Sequence, residues 1–313
     1  MLRACNVPDG MYPSPMIAPF DRNLLRHRRN RAANGLEGFD FLIAEVADRL
    51  ADRLADVRRA FPLAVDLGCH TGQVGRLLAG RGGIEDLIQV DLAENMARRA
   101  GGLAIVADEE AIPFAEGSLD VVLSNLSMHW VNDLPGALIQ IRRALKPDGM
   151  FLAAMLGTGT LAELQQALSE AEVDEEGGLS PRVSPFADVR DLGDLLGRAG
   201  FTLPVADTET ITVSYADPMR LMADLHGMGE SNVLVERRRT PLRRATLMAA
   251  AKYYRDLFSG HDGRIPATFQ VVFLTGWAPH ADQPKPLQPG SAINRLSEAL
   301  HTSEVPLGEK AKP

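Results

Sequence analysis

Between Leu63 and Leu156 the chain carries five short apolar runs, LAVDLG, LIQVDL, LAIVAD, LDVVLSNL and MFLAAML, separated by segments with helical spacing. Runs of this length, apolar at consecutive rather than alternate positions, suit strands covered on both faces of a parallel sheet. Parallel neighbours need crossover helices, and Gln73 to Ala79, Asn95 to Ala100 and Leu134 to Leu145 supply them. KPDG at Lys146 to Gly149 brings Pro and Gly to stop the last of these. The expected architecture is therefore α/β, a Rossmann-like doubly wound sheet.

The flanks complete one domain. Phe39, Leu42, Ile43, Val46, Leu50, Leu54 and Val57 mark one face of a helix ahead of the first strand. After Leu156 the sequence predicts a helix over Leu161 to Glu172, a Gly/Pro/Ser connector over Gly177 to Pro185, a helix closing at Gly200 and a strand at ITVSY. Helices at Asp217 to Gly229 and Leu242 to Phe258 precede a last strand, FQVVFLTGW, so 217–265 reads as a helical insertion capping a pocket. Residues 1–19 read as a disordered arm and 281–313, with Pro284, Pro286 and Pro289, as a disordered tail, leaving 20–280 as the folded domain.

Composition removes several classes of function. Lys and Arg total 33 against 41 Asp and Glu, a net charge of -8 that repels a phosphate backbone, so no nucleic-acid partner is expected. Cys5 and Cys69 form neither a disulfide framework nor a zinc pattern, which fits a reducing compartment. No apolar stretch reaches the roughly 18 residues of a membrane span, and the N-terminus carries no leader pattern. The one H-x-D spacing, His280 and Asp282, falls at the start of the expected tail, so no metal set is expected.

The chemistry concentrates in VDLGCHTGQVG, where a strand ends in Asp66 and turns through Gly68 and Gly72 into a helix bearing Gly75. Glycines let the backbone approach a ligand closely, and free helix N–H groups attract polar ligand ends. The dinucleotide pattern G-x-G-x-x-G fails because Cys69 and His70 follow Gly68, and the P-loop lysine is missing. The motif resembles the D-x-G-x-G-x-G of class I S-adenosylmethionine methyltransferases, with His70 in place of the central glycine; His tolerates the left-handed backbone better than most residues.

Asp91, closing the second strand, stands where such folds hold ribose hydroxyls, and a carboxylate accepts both hydrogens at once. Asp108 resembles the family's adenine-side acid. Glu109 and Glu110 beside it read as solvated, with Glu109 kept among the positions the resemblance assigns to the cofactor. That set is Asp66, Gly68, Cys69, His70, Gly72, Asp91, Leu92, Asp108, Glu109 and Ser124, and the implied cofactor is S-adenosyl-L-methionine. Taken singly, an acid at a strand end is a cap or turn former and a glycine turn is only a turn.

The fourth strand runs into SNLSMHWVND, which lacks the D/N-P-P-Y slot of base-modifying amino methyltransferases. His129 and Trp130 stand at the reacting end, His129 as a general base or as a packing residue. Arg22, Arg26, Arg28, Arg29 and Arg31 crowd one segment that reads as a solvated helix face, or else as a docking face for an acidic protein or anionic lipid in peripheral membrane contact. Gly227 to Asn232 reads as a lid or as a helix cap.

Taken whole, the chain resembles the NADH:ubiquinone oxidoreductase complex assembly factor 5 family from Phe20 to Pro279, through FDRNL, FPLAVDLGC, ADEEAIPF, LSMHWVNDLPGAL, LKPDGMF, SPFADVRDLGDLLGRAGF, DLHGMGESN and PATFQ. The resemblance implies a protein client, a respiratory complex I subunit, modified by arginine hydroxylation or methylation. It also implies a cytoplasmic home in a bacterium and the mitochondrial matrix, at the inner membrane, in a eukaryote. Two alternatives stay open: a malonyl-acyl-carrier-protein O-methyltransferase of biotin synthesis, similar around SNL and Trp130, and a non-catalytic chaperone that senses S-adenosylmethionine.

Overall fold

The computed structural model describes residues 18–78, 80–284, 291 and 296–303; Cys5 and most of the expected arm and tail lie outside them. The described residues up to Pro279 form one unit and those from His280 another, the second containing a short helix at Leu296–Ala299.

Among the described residues seven strands make one sheet. β1 (Leu63–Leu67), β2 (Asp86–Asp91), β3 (Leu103–Val106), β4 (Leu119–Asn125) and β5 (Leu145–Leu156) are parallel and match the five apolar runs. β6 (Thr202–Tyr215) and β7 (Ile265–Trp277) extend the sheet, β7 lying antiparallel between β5 and β6. The order β3-β2-β1-β4-β5-β7-β6 reverses direction between β1 and β4, opening a crevice beyond their carboxyl ends.

Both faces are covered, which is why the central strands are continuously apolar. On one side α2 (Phe41–Ala55) lays Leu42, Val46, Leu50 and Leu54 against Ala64, Val121, Leu123 and Leu152. On the other, α5 (Leu134–Ala144) and α7 (Val189–Ala199) set Leu138, Ile141, Leu192 and Leu196 against Val65, Val122 and Phe151. Gly200, at φ +89°, turns the chain out of α7 as the sequence predicts.

Some boundaries differ from the sequence reading. α5 stops at Ala144, and Lys146 to Gly149 already belong to the start of β5. β6 begins nine residues before ITVSY because its first part is polar and half-exposed, a pattern that sequence alone reads as loop. Its charges are met from α2, where Arg53 bonds both oxygens of Asp207 at 2.7 and 2.8 Å and sits 4.0 Å above the Phe273 ring.

The insertion consists of α8 (Pro218–Met228) and α9 (Arg244–Phe258). It buries Leu221, Leu225, Met228 and Tyr254 in the same core as α2 and α6 (Ala162–Glu176). Leu152, unexposed at the centre of the sheet, tests this packing. Leu152→Ala is expected to lower unfolding free energy by about 2–5 kcal/mol, read from denaturant midpoints at unchanged slope.

Candidate functional site

Strand β1 delivers Asp66 into a turn whose backbone is left-handed at Gly68 (φ +77°), His70 (φ +50°) and Gly72 (φ +84°). A Cβ on Gly68 would lie 2.1 Å from the Ser127 Cβ, and one on Gly72 would lie 2.9 Å from the Ala100 carbonyl oxygen, so both positions need glycine. The turn is pinned to β2, the Gly68 and Cys69 amides donating to the Val90 carbonyl at 2.7 and 2.9 Å. His70 does adopt the left-handed conformation, and its Nε2 lies 2.9 Å from the Asn125 carbonyl oxygen. Burial, then the nearby Arg29, push its pKa down to about 4, so the ring is neutral.

Four carboxylates meet above this turn, in four different electrostatic states. Neither oxygen of Asp66 has a hydrogen-bond partner; burial and then the neighbouring Asp91 push its pKa up to about 8. Asp91 accepts from the His70 amide at 3.1 Å and the Ala93 amide at 2.7 Å, yet burial still raises it to about 6 against the pull of Arg29. Asp108 is partly exposed and takes Arg22 Nη2 at 2.6 Å.

Glu109 is the correction. It is fully buried rather than solvated, accepts from Ser127 Oγ at 2.7 Å and pairs with Arg22. Burial alone would raise its pKa, but Arg22 and then Arg29 hold it below the ordinary value. Glu110 is also occupied, accepting from the Asn132 amide at 2.6 Å.

The basic segment forms α1 (Arg22–Ala32), capped by Asp21 accepting from the Leu24 amide at 3.0 Å. Arg26 and Arg31 are exposed as expected, whereas Arg22 and Arg29 are turned inward, seven residues apart on one face with Leu25 between them. Arg29 is 1% exposed, donates to Ser127 Oγ at 3.0 Å and lies 3.7 Å from Asp91 and 3.6 Å from Glu109. The solvated-face reading fails for these two because the acids they neutralise come from β2 and the loop after β3, remote in sequence. Helix α1 thus lies across the carboxyl ends of the strands, and Asn30 accepts the Asn95 amide at 2.8 Å in the first turn of α4 (Glu94–Ala100).

After β4, His129 and Trp130 occupy a short 3-10 helix and are both buried. They share a partner that the sequence reading placed in the Gly227 to Asn232 motif without assigning it to the site. Trp130 Nε1 donates to Glu230 Oε2 at 2.9 Å, and His129 Nε2 lies 3.4 Å from the same oxygen. Gly229, at φ +84°, ends α8, and the Glu230 amide bonds back to the Leu225 carbonyl at 3.0 Å, which aims the carboxylate inward. The remaining predicted positions are buried. Ser124 Oγ donates to the Leu67 carbonyl at 2.7 Å, Leu92 packs with Phe20 and Trp130, and Cys69 is buried in the turn.

A family profile described as a methyltransferase domain matches residues 65–153. The solved phosphoethanolamine N-methyltransferase 2 of Haemonchus contortus, in complex with S-adenosylhomocysteine, superposes with a TM-score of 0.51 at 17% identity, over 82% of this chain and 60% of that one. Sheet order, glycine turn and acids therefore define a class I methyltransferase-like protein, the class whose cofactor is S-adenosyl-L-methionine.

The chain is 44% identical to the human mitochondrial arginine-hydroxylase NDUFAF5 over 98% of its own length and 92% of that protein's. It belongs to that family. A malonyl-[acyl-carrier protein] O-methyltransferase of Gallionella capsiferriformans is less similar, at 34% identity over 88% of this chain and 97% of its own length.

The residues present suit a ligand with an amino-acid end. Asp66 offers two unpartnered buried oxygens, and Arg29 keeps Nε and Nη2 unpartnered, an acceptor set and a donor set for an ammonium and a carboxylate. Asp66 also gives a pH signature. Its folded pKa lies above the ordinary 3.8, so the native state binds the extra proton and stability falls as pH rises from about 4 to about 8. Asp66→Asn is expected to raise the thermal midpoint at pH 8 by about 2–4 °C per kcal/mol recovered, with the gain vanishing near pH 4 in calorimetric scans.

Proposed function

We propose that this chain binds S-adenosyl-L-methionine in the crevice between β1 and β4 and acts, as a complex I assembly factor, on an arginine of a client protein. The observation that carries the reading is that Asp66, at the glycine turn, keeps both buried oxygens unpartnered while Arg29 on α1 keeps two unpartnered nitrogens. Asp66 would hold the cofactor's ammonium and Arg29 its carboxylate. Asp91 would face the ribose hydroxyls and Asp108 the adenine side, with Gly68, Gly72 and His70 shaping the turn and Leu92 and Cys69 walling it.

When bound, the cofactor supplies an electrophilic sulfonium methyl. The protein's own contribution is electrostatic: acids around the crevice favour a cation, and buried arginines keep the assembly from being too negative to fold. Arg22 bridges Asp108 and Glu109 over the adenine side, so α1 acts as the latch of that crevice.

Family membership supports arginine as the target, because its human member is named an arginine hydroxylase. Hydroxylation would insert one oxygen atom into a C–H bond and would need either dioxygen with two electrons and two protons, the second oxygen leaving as water, or a peroxide, which brings those electrons itself. A respiratory complex I subunit is the proposed client, in the mitochondrial matrix in a eukaryote and at the cytoplasmic side in a bacterium. Among the described residues no helix is long and apolar enough to cross a membrane.

Two measurements test the reading. Asp91→Ala is expected to weaken S-adenosyl-L-methionine binding at least tenfold by calorimetry, about 1.4 kcal/mol, with secondary structure retained. Mass spectrometry of the complex I subunits with and without this chain is expected to show a gain of about 16 Da on an arginine, whereas about 14 Da would assign methyl transfer. No change in mass, together with full assembly supported by Asp91→Ala, would replace the enzyme with a chaperone.

A further inference from the structure

Below α8 lies a second cavity, of about 180 Å³, that none of the cofactor-facing acids lines. Its size is below the roughly 300–1,000 Å³ of sites for nucleosides and similar ligands, so its occupant is about one long side chain. The walls are apolar and aromatic, with Trp130, Phe186, Phe269, Leu156 and Met222, and one carboxylate, Glu230, reaches in.

Glu230 is held ready rather than neutralised. Both of its hydrogen bonds, from Trp130 and His129, fall on Oε2, and Oε1 accepts none among the described residues. The groups facing it are His129, His70 and Arg29, which together with the His129 hydrogen bond keep its pKa below the ordinary value against the effect of burial. Arg182, the guanidinium in the cavity wall, is already engaged by Glu172, with Nε donating to Oε1 at 2.7 Å. The aromatic side is fixed too: the Trp130 ring packs edge-on against Phe20 at 5.3 Å, and His129 lies 5.9 Å from the Phe186 ring.

We propose that this cavity receives the arginine side chain of the client, its guanidinium seated between Glu230 Oε1 and the Trp130 and Phe186 rings. A guanidinium is planar, weakly hydrated and always charged, so it gains from a carboxylate and an aromatic face together. The free carboxylate of a malonyl group would meet Glu230 as a like charge, which disfavours that substrate here. A wider groove of about 570 Å³ shares Arg182, Val183, Ser184 and Phe186 with the cavity, and its Ser180, Pro181 and Thr158 suit the backbone of an extended segment leading to the inserted side chain.

This assignment rests on the reading of arginine as the target residue, and its test is independent of product formation. N-acetyl-arginine amide, whose blocked termini cannot use Asp66 and Arg29, is titrated into the full chain carrying Trp277→Phe, so that fluorescence reports Trp130. Saturable binding is expected, with the lysine analogue weaker and the uncharged citrulline analogue absent. Glu230→Gln is expected to weaken binding at least tenfold. Met222→Phe, which narrows the cavity without touching the Glu230 hydrogen bonds and adds no second tryptophan, is expected to do the same, and thermal midpoints verify that both variants fold.

Equal binding of arginine and citrulline probes, or unchanged binding in either folded variant, overturns the assignment. If probe binding depends on Glu230 but no subunit gains about 16 Da, the cavity stands and hydroxylation falls. If the mass gain occurs and survives Glu230→Gln unchanged, hydroxylation stands and the cavity falls.

Discussion

The structure depends on how four carboxylates at neighbouring strand ends, three of them buried, tolerate one another. Ionised acids there repel across a low-dielectric gap, and leaving such charges buried and unpaired costs several kcal/mol apiece. Two remedies coexist. Asp66 and Asp91 hold protons more tightly than free carboxyls do, while Glu109 stays ionised because Arg22 and Arg29 come to it. The second remedy fixes the position of α1, and with it Asn30 at the first turn of α4 and Arg28 on the Asn232 carbonyl, 2.5 Å away. The arrangement of the N-terminal helix is thus a consequence of charge balance at the sheet's end.

That balance also separates two binding regions. The crevice over the glycine turn offers both signs of charge, which suits a zwitterionic amino-acid end. The cavity under α8 offers one sign, through Glu230, inside aromatic walls. Trp130 and His129 stand between them, sharing the Glu230 carboxylate, so the cofactor and the target side chain would meet across one tryptophan and one imidazole.

Much of this was legible because it is local. The parallel strands follow from consecutive apolar residues, and the turn from Gly68 and Gly72, whose neighbours leave no room for a Cβ. What was missed is non-local. Nothing within FDRNLLRHRRNRAA separates Arg29, 1% exposed, from Arg26 on the surface, because the difference is whether an acid from another strand waits opposite. The seven-residue spacing of Arg22 and Arg29 around Leu25 was the available signal. Glu109 looked solvated for the same reason, and the polar first half of β6 looked like loop because its partners, Arg49 and Arg53, sit on α2.

The sequence by itself determined the order of elements, the glycine turn and which acids end which strands, since backbone freedom and apolar spacing are properties of a few adjacent residues. Only the tertiary structure decided which charges are buried, which acids carry a proton and that Glu230 belongs to the site. Those depend on distances between residues far apart in the chain, and electrostatic energy in a dry crevice changes sign with whether a partner is present.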